Sequence, residues 1–171
     1  MIVVEGVADI DDLDGTLSTL DTVADEYGVT VQAFDARYLV DRRHLERAVA
    51  LADRAFDRGE NVARERSVEI LLYAAGRRQI DDALEMGVGE GRMPVAAVVD
   101  DAGTTGESDA ESAAATALRD RLALDPTPTL DAVDAERVRA FFDVPAAELD
   151  AVDGDLTDLV HERVALLDVE K

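Results

Sequence analysis

The chain lacks cysteine and tryptophan entirely, and its single lysine is the last of 171 residues. Without cysteine there is no disulfide, no thiolate metal site and no cysteine nucleophile. A lone lysine at position 171 also excludes a phosphate-binding loop of the Gly-Lys-Ser/Thr kind. Aromatic residues are few, three Tyr and four Phe, so Val, Leu, Ile and Ala must supply the packing. No run approaches the ~20 apolar residues of a membrane span. The start, Met1-Ile-Val-Val-Glu5, has neither a basic leader nor a long apolar stretch. These absences predict a soluble, cytoplasmic protein without membrane contact. The length suits one domain over 1–171 with a sizeable core.

What is abundant is negative charge. There are 39 acidic residues against 17 basic ones, a net charge of −22. Self-repulsion at this density disfavours a compact state in dilute buffer, and molar salt, with a Debye length of ~3 Å, removes most of that penalty. An acidic, arginine-rich and lysine-poor chain of this kind fits a halophilic, haloarchaeal-type proteome. The distribution carries more information than the total. Residues 1–36 hold nine acidic residues and no basic ones, and 93–171 hold nineteen acidic and six basic. Residues 37–92 hold eleven of the sixteen arginines against eleven acidic residues. That neutral island implies either a surface that meets a polyanion or a network of ion pairs.

The pattern predicts an α+β fold, a mixed β-sheet flanked by several helices. Ile2–Val4, Val29–Phe34 and Pro94–Val99 read as strands. Helices are expected from an Asp9 or Asp11 cap to about Tyr27, from Asp41 to Arg58, over Glu65–Ala75 and over Arg77–Met86. Three more are expected over Ala110–Leu122, Ala132–Phe142 and Asp155–Leu166, with a mobile loop at 101–109. In the Asp41–Arg58 segment, His44, Leu45, Ala48, Val49, Ala52, Ala55 and Phe56 share one face. Arg43, Arg47, Arg54 and Arg58 share the opposite one. His44 is therefore expected in the core.

The densest stretch is Ala63–Ala83. It runs apolar from Val68 to Ala75 except for Glu69, breaks at Gly76, and continues into Arg77-Arg78-Gln79. A carboxylate in such a run must be paired or used. The structural reading of Glu69 is an ion pair with Arg64, Arg66 or Arg78. The alternative makes it a general base with a raised pKa, in a small-molecule enzyme that holds an anionic substrate with Arg64, Arg77 and Arg78. Familiar catalytic signatures are missing. Gly87-Val-Gly-Glu-Gly91 precedes a strand instead of following one, the Asp9–Gly15 stretch fails the calcium-loop register, and there is no Gly-x-Ser-x-Gly elbow. No catalytic residue, metal site or cofactor is expected.

Ala36-Arg-Tyr38, His44-Leu45-x-x-Ala48, Ala63-Arg64, Glu69-Ile-Leu-Leu-Tyr-Ala-Ala-Gly-x-Arg-Gln-Ile80 and Arg163-Val-Ala-Leu-Leu-Asp-Val169 follow one another along most of the chain. In that order they resemble the kinase-binding subunit of the KEOPS complex, the PRPK-binding protein (TPRKB) family. The resemblance implies a non-catalytic subunit that binds a Bud-type kinase/ATPase and, through it, the threonylcarbamoyl-transferase subunit. Together these modify the adenosine beside the tRNA anticodon, the family member helping to hold the tRNA by its 3′ CCA end. On that resemblance Arg64, Arg77, Arg78 and Gln79 would contact tRNA, with Tyr38 or Tyr73 as a stacking surface. Leu156, Leu159, Val160, Val164 and Leu167 recur at near-helical spacing and would face the kinase; packing on the protein's own core is the competing reading.

Overall fold

The computed structural model describes residues 1–103, 108–131 and 133–169. In chain order the elements are β1 (Ile2–Ile10), α1 (Leu13–Tyr27), β2 (Thr30–Asp35), α2 (Arg42–Arg58), α3 (Arg66–Ala75), α4 (Ile80–Ala83) and β3 (Gly91–Asp100). They continue with α5 (Asp109–Arg121), α6 (Ala135–Phe141), α7 (Ala146–Ala151) and α8 (Leu156–Val169), and single 3-10 turns occupy Ala36–Tyr38 and Leu84–Met86. The expected α+β class holds. The sheet, however, is not mixed: β3 lies between β1 and β2 and runs antiparallel to both. The centre of the loop expected to be mobile, residues 104–107, lies outside the described residues, as does Ala132, where α6 was expected to start. No helix among the described residues is long and apolar enough to cross a membrane.

Contacts divide the chain into two compact units, Met1–Ala36 with Gly87–Thr129 and Arg37–Met86 with Leu130–Lys171. The first holds the sheet. Alternate residues of the strands, among them Val4, Ala8, Val31, Ala33, Val95 and Val99, share a core with Leu20 and Val23 of α1 and Ala114, Ala115 and Leu118 of α5. The period of two puts these side chains on one face of the pleat. Asp12, rather than Asp9 or Asp11, caps α1 by accepting from the Gly15 N–H at 3.1 Å, and Gly28 ends it in the left-handed conformation that glycine adopts without strain. Leu17 of α1 is exposed.

At the start of α5, Ser108 and Glu111 form a reciprocal capping box. The buried Glu111 carboxylate also accepts from the Asp101 N–H at 2.8 Å and pairs with the Met1 ammonium at 3.0 Å. Burial opposes its ionisation, but these donors outweigh burial and hold it below the usual carboxylate range.

The second unit is helical. Here α2 packs on α3 and α8, and α3 packs on α4 and α8. Asp41 caps α2 and Gly59 closes it, as the sequence predicts, and the His44–Ala55 face is buried. The helix expected over Arg77–Met86 is instead a four-residue α4 followed by a 3-10 turn.

Residues 124–125 lie against β1. Val7 and Asp125 exchange both backbone hydrogen bonds, at 2.9 and 3.0 Å. That approach requires Gly6, because a Cβ there would stand 2.9 Å from the Asp125 carbonyl oxygen and 3.0 Å from Leu124 Cβ. Gly6→Ala is expected to lower stability by about 1–3 kcal/mol, read as a lower urea midpoint in molar KCl; an unchanged midpoint would show that the segment gives way freely.

Candidate functional site

Two clusters in the helical unit bring polar side chains together. The first is an open cleft of about 450 Å³ lined by Tyr38, Arg77, Glu85, Asp134, Arg137 and Phe141, among others. Tyr38 follows β2 in the 3-10 turn, Arg77 follows the Gly76 break after α3, and Phe141 ends α6. The Tyr38 and Phe141 rings meet edge to face with centroids 5.2 Å apart, a geometry favoured by the ring quadrupoles. Each ring also carries a guanidinium, Arg77 at 5.0 Å from the Phe141 centroid and Arg137 at 5.3 Å from that of Tyr38.

Arg77 further donates to the Phe141 carbonyl. The Tyr38 hydroxyl donates to Glu85 at 3.1 Å and accepts from Arg137 at 3.3 Å. Burial and Glu85 push the Tyr38 phenol up against the opposing pull of Arg137. The cleft thus offers planar cations stacked on aromatic faces with carboxylates beside them.

The second cluster is closed. His44 is fully buried, and its Nε2 lies 2.8 Å from the Ala74 carbonyl, so that nitrogen carries the proton. Its ring stands 6.2 Å from that of His161 and 5.9 Å from that of Phe142. His161 Nε2 lies 3.1 Å from an Asp41 carboxylate oxygen, and the other Asp41 oxygen accepts from the His44 N–H at 2.7 Å. Burial works against the Asp41 charge, yet the His161 and His44 contacts hold its carboxyl below the usual range.

The sequence-predicted residues divide accordingly. Tyr38 and Arg77 come together in the cleft, but the Tyr38 ring is buried beneath Arg137 and against Phe141, so the stacking surface expected of it is already covered. Arg64, Arg78 and Gln79 are exposed, and neither Arg64 nor Arg78 has a partner among the described residues. Tyr73 is a correction. Its ring is wholly buried and its hydroxyl donates to Asp168 at 3.3 Å, so it offers no face for stacking. The α8 positions are a second correction. Leu159, Val160, Val164 and Leu167 are buried in the unit's own core, Leu156 is partly so, and the outward apolar residues of α8 are Leu166 and Val169.

Glu69 is fully buried, and one of its oxygens accepts the Val62 and Ala63 N–H groups at 3.0 and 2.8 Å. It thereby fixes the chain entering α3. Of the arginines expected near it, Arg66 holds Asp53 with two bonds of 2.7 and 3.0 Å. Glu85, Arg137 and Phe141 were missed because they are remote from Tyr38 in sequence. The only signal was Phe141-Phe142, two of the four Phe residues in one dipeptide.

Over residues 7–168 the chain matches the family described as kinase binding protein CGI-121. The chain belongs to the CGI-121 family of kinase-binding proteins. No curated protein matches it. The CGI-121 match spans both units and takes in the cleft, the Asp41–histidine cluster and the sheet except for the first five residues of β1.

Burial depresses the pKa of His44 to about 4. An imidazole that folds neutral binds more protons when unfolded, so its contribution is complete above the unfolded value near 6.5 and declines as pH falls toward about 4. Urea midpoints in molar KCl should therefore drop across that window. His44→Gln, which keeps a donor for Ala74, should flatten this pH dependence; equal slopes in the two proteins would exclude His44 as its source.

Proposed function

We propose that this chain is a non-catalytic, kinase-binding subunit of a KEOPS-type tRNA-modifying complex. The observation that carries the reading is the family match over residues 7–168. The partner would be a Bud-type kinase/ATPase, with the threonylcarbamoyl-transferase subunit reached through it. Because the inner residues of α8 are committed to the core, the kinase contact falls to its outer edge. Leu166 and Val169, three residues apart and on one side of the helix, are 40% and 78% exposed.

In the same reading the cleft, with Arg64 and Arg78, receives the 3′ end of tRNA. Arg64 and Arg78, which have no partner among the described residues, would meet phosphates, and Arg77 is held over the Phe141 ring. In a salt-rich cell counterion release contributes little, so bidentate guanidinium–phosphate bonds and stacking must supply the affinity. Lysine offers neither, in keeping with an arginine-only interior of the chain. Against the enzyme alternative, one oxygen of the Glu69 carboxylate accepts two backbone amides, a structural role at the entry of α3.

Light scattering after size exclusion, in about molar KCl, should show a stable heterodimer with the cognate Bud-type kinase. Leu166→Asp with Val169→Asp should dissociate it while leaving the helical content unchanged. A complex that survives both substitutions would move the contact elsewhere, and no complex with the unaltered protein would defeat the kinase assignment. Separately, Arg78→Ala should weaken tRNA binding about tenfold, the value of one charged hydrogen-bond pair. Unchanged binding at working salt would remove the arginine cluster from the tRNA site.

A further inference from the structure

Residues 59–65 connect α2 to α3, and all of them except Asn61 and Ala63 are exposed. Surface connectors of this kind are ordinarily among the more mobile parts of a fold. This one is fastened from within. Glu69, fully buried in the first turn of α3, accepts the Val62 and Ala63 N–H groups through one oxygen at 3.0 and 2.8 Å. Asn61 Nδ2 donates to the Ala63 carbonyl at 2.9 Å. On the other side, Arg66 grips Asp53 of α2 with two bonds of 2.7 and 3.0 Å.

The chain is therefore held immediately before Arg64 and again two residues after it. The Arg64 side chain itself is exposed and has no partner among the described residues. A free guanidinium thus stands on a fixed backbone. Taking a carboxylate out of water to achieve this is costly. An apolar residue at 69 would match the run from Val68 to Ala75 and leave the two amides without their acceptor.

We propose that Glu69 and Asn61 are positioning residues that present Arg64 to an RNA phosphate. The proposal rests on the tRNA reading given above and adds how that contact is prepared. With the backbone ordered in advance, binding has only the Arg64 side chain left to immobilise, and the entropy of ordering the connector does not weigh on the complex. A guanidinium so placed can meet a phosphate through two parallel N–H donors, which a wandering loop would align only part of the time. At high salt, where counterion release contributes little, such preparation carries more of the affinity. The Glu69 carboxylate, being fully buried, acts only through Arg64.

The test is a double-mutant cycle with a tRNA transcript ending in CCA, its binding measured in about molar KCl. Arg64→Ala should weaken binding about tenfold, and Asn61→Ala about threefold. Glu69→Leu should approach the loss caused by Arg64→Ala, and Glu69→Gln, which keeps an oxygen for the amides, should recover most of it. In an Arg64→Ala background neither Asn61→Ala nor Glu69→Leu should weaken binding further, whereas a general loosening of the fold would. Hydrogen exchange supplies a readout without RNA: the Val62 and Ala63 amides should be protected in the unaltered protein and exposed in Glu69→Leu. If Glu69→Leu does not fold, the Asn61→Ala cycle decides. Additive losses, full affinity in Asn61→Ala, or unprotected Val62 and Ala63 amides in the unaltered protein would each overturn the proposal alone. Full affinity in Arg64→Ala would instead remove Arg64 from the tRNA site and the proposal with it, leaving the kinase reading untouched.

Discussion

A single carboxylate organises the helical unit. Asp41 accepts the His44 N–H that starts α2 and, through its other oxygen, meets His161 on α8. The same His44 that receives the cap reaches across to Ala74 at the end of α3. Three helices are thereby tied at one point, from residues far apart in the chain. Burying polar groups is costly unless they are bonded to one another, and each of these groups meets that condition through at least one partner. The core leucines and valines supply most of the burial energy, but they are tolerant of how helices slide. A hydrogen-bonded cap and two imidazoles are not tolerant, so they fix the register in which the apolar faces meet.

The charge distribution follows the division into units. The sheet-bearing segments hold seventeen acidic and three basic residues, while Arg37–Met86 holds ten of each. Some of those ten arginines are spent on architecture, as with Arg66 on Asp53 and Arg42 on Glu46. Others are stacked or exposed, as with Arg77 on Phe141 and Arg78, which has no partner among the described residues. The stretch therefore contains both internal ion pairs and exposed arginines. A guanidinium can serve either purpose because its planar face stacks while its edge donates.

Much of the fold was legible because its signals are local. Asp41 and Gly59 bracket α2, Gly28 and Gly76 end α1 and α3, and the apolar face of α2 with His44 inside follows from helical periodicity alone. The errors arose where tertiary context decides. The short run Ile2–Val4 continues as strand to Ile10, through Gly6 and alternating small residues whose pairing with β3 cannot be seen locally. Tyr73 and the stripe on α8 read as available surfaces, yet both are consumed by the helices around them. A period of 3.6 tells which residues share a face, but not whether that face meets solvent, a partner or the protein itself. The cleft at Tyr38 was half-visible for the same reason, since Phe141 and Arg137 come from about a hundred residues later.

The strand order has a consequence for the order of synthesis. β1 and β2 emerge first, but they are not neighbours; β3, which separates them, follows more than fifty residues after β2 ends. Until it arrives, the nascent chain carries two strands with no partner for their backbone amides and carbonyls. Unpaired edges of this kind invite pairing with other chains. A dense coat of aspartate and glutamate on the first thirty-six residues would hold neighbouring nascent chains apart by repulsion during that interval. The acidity would then also act early, on the ribosome, as protection for a sheet that is assembled from its edges inward.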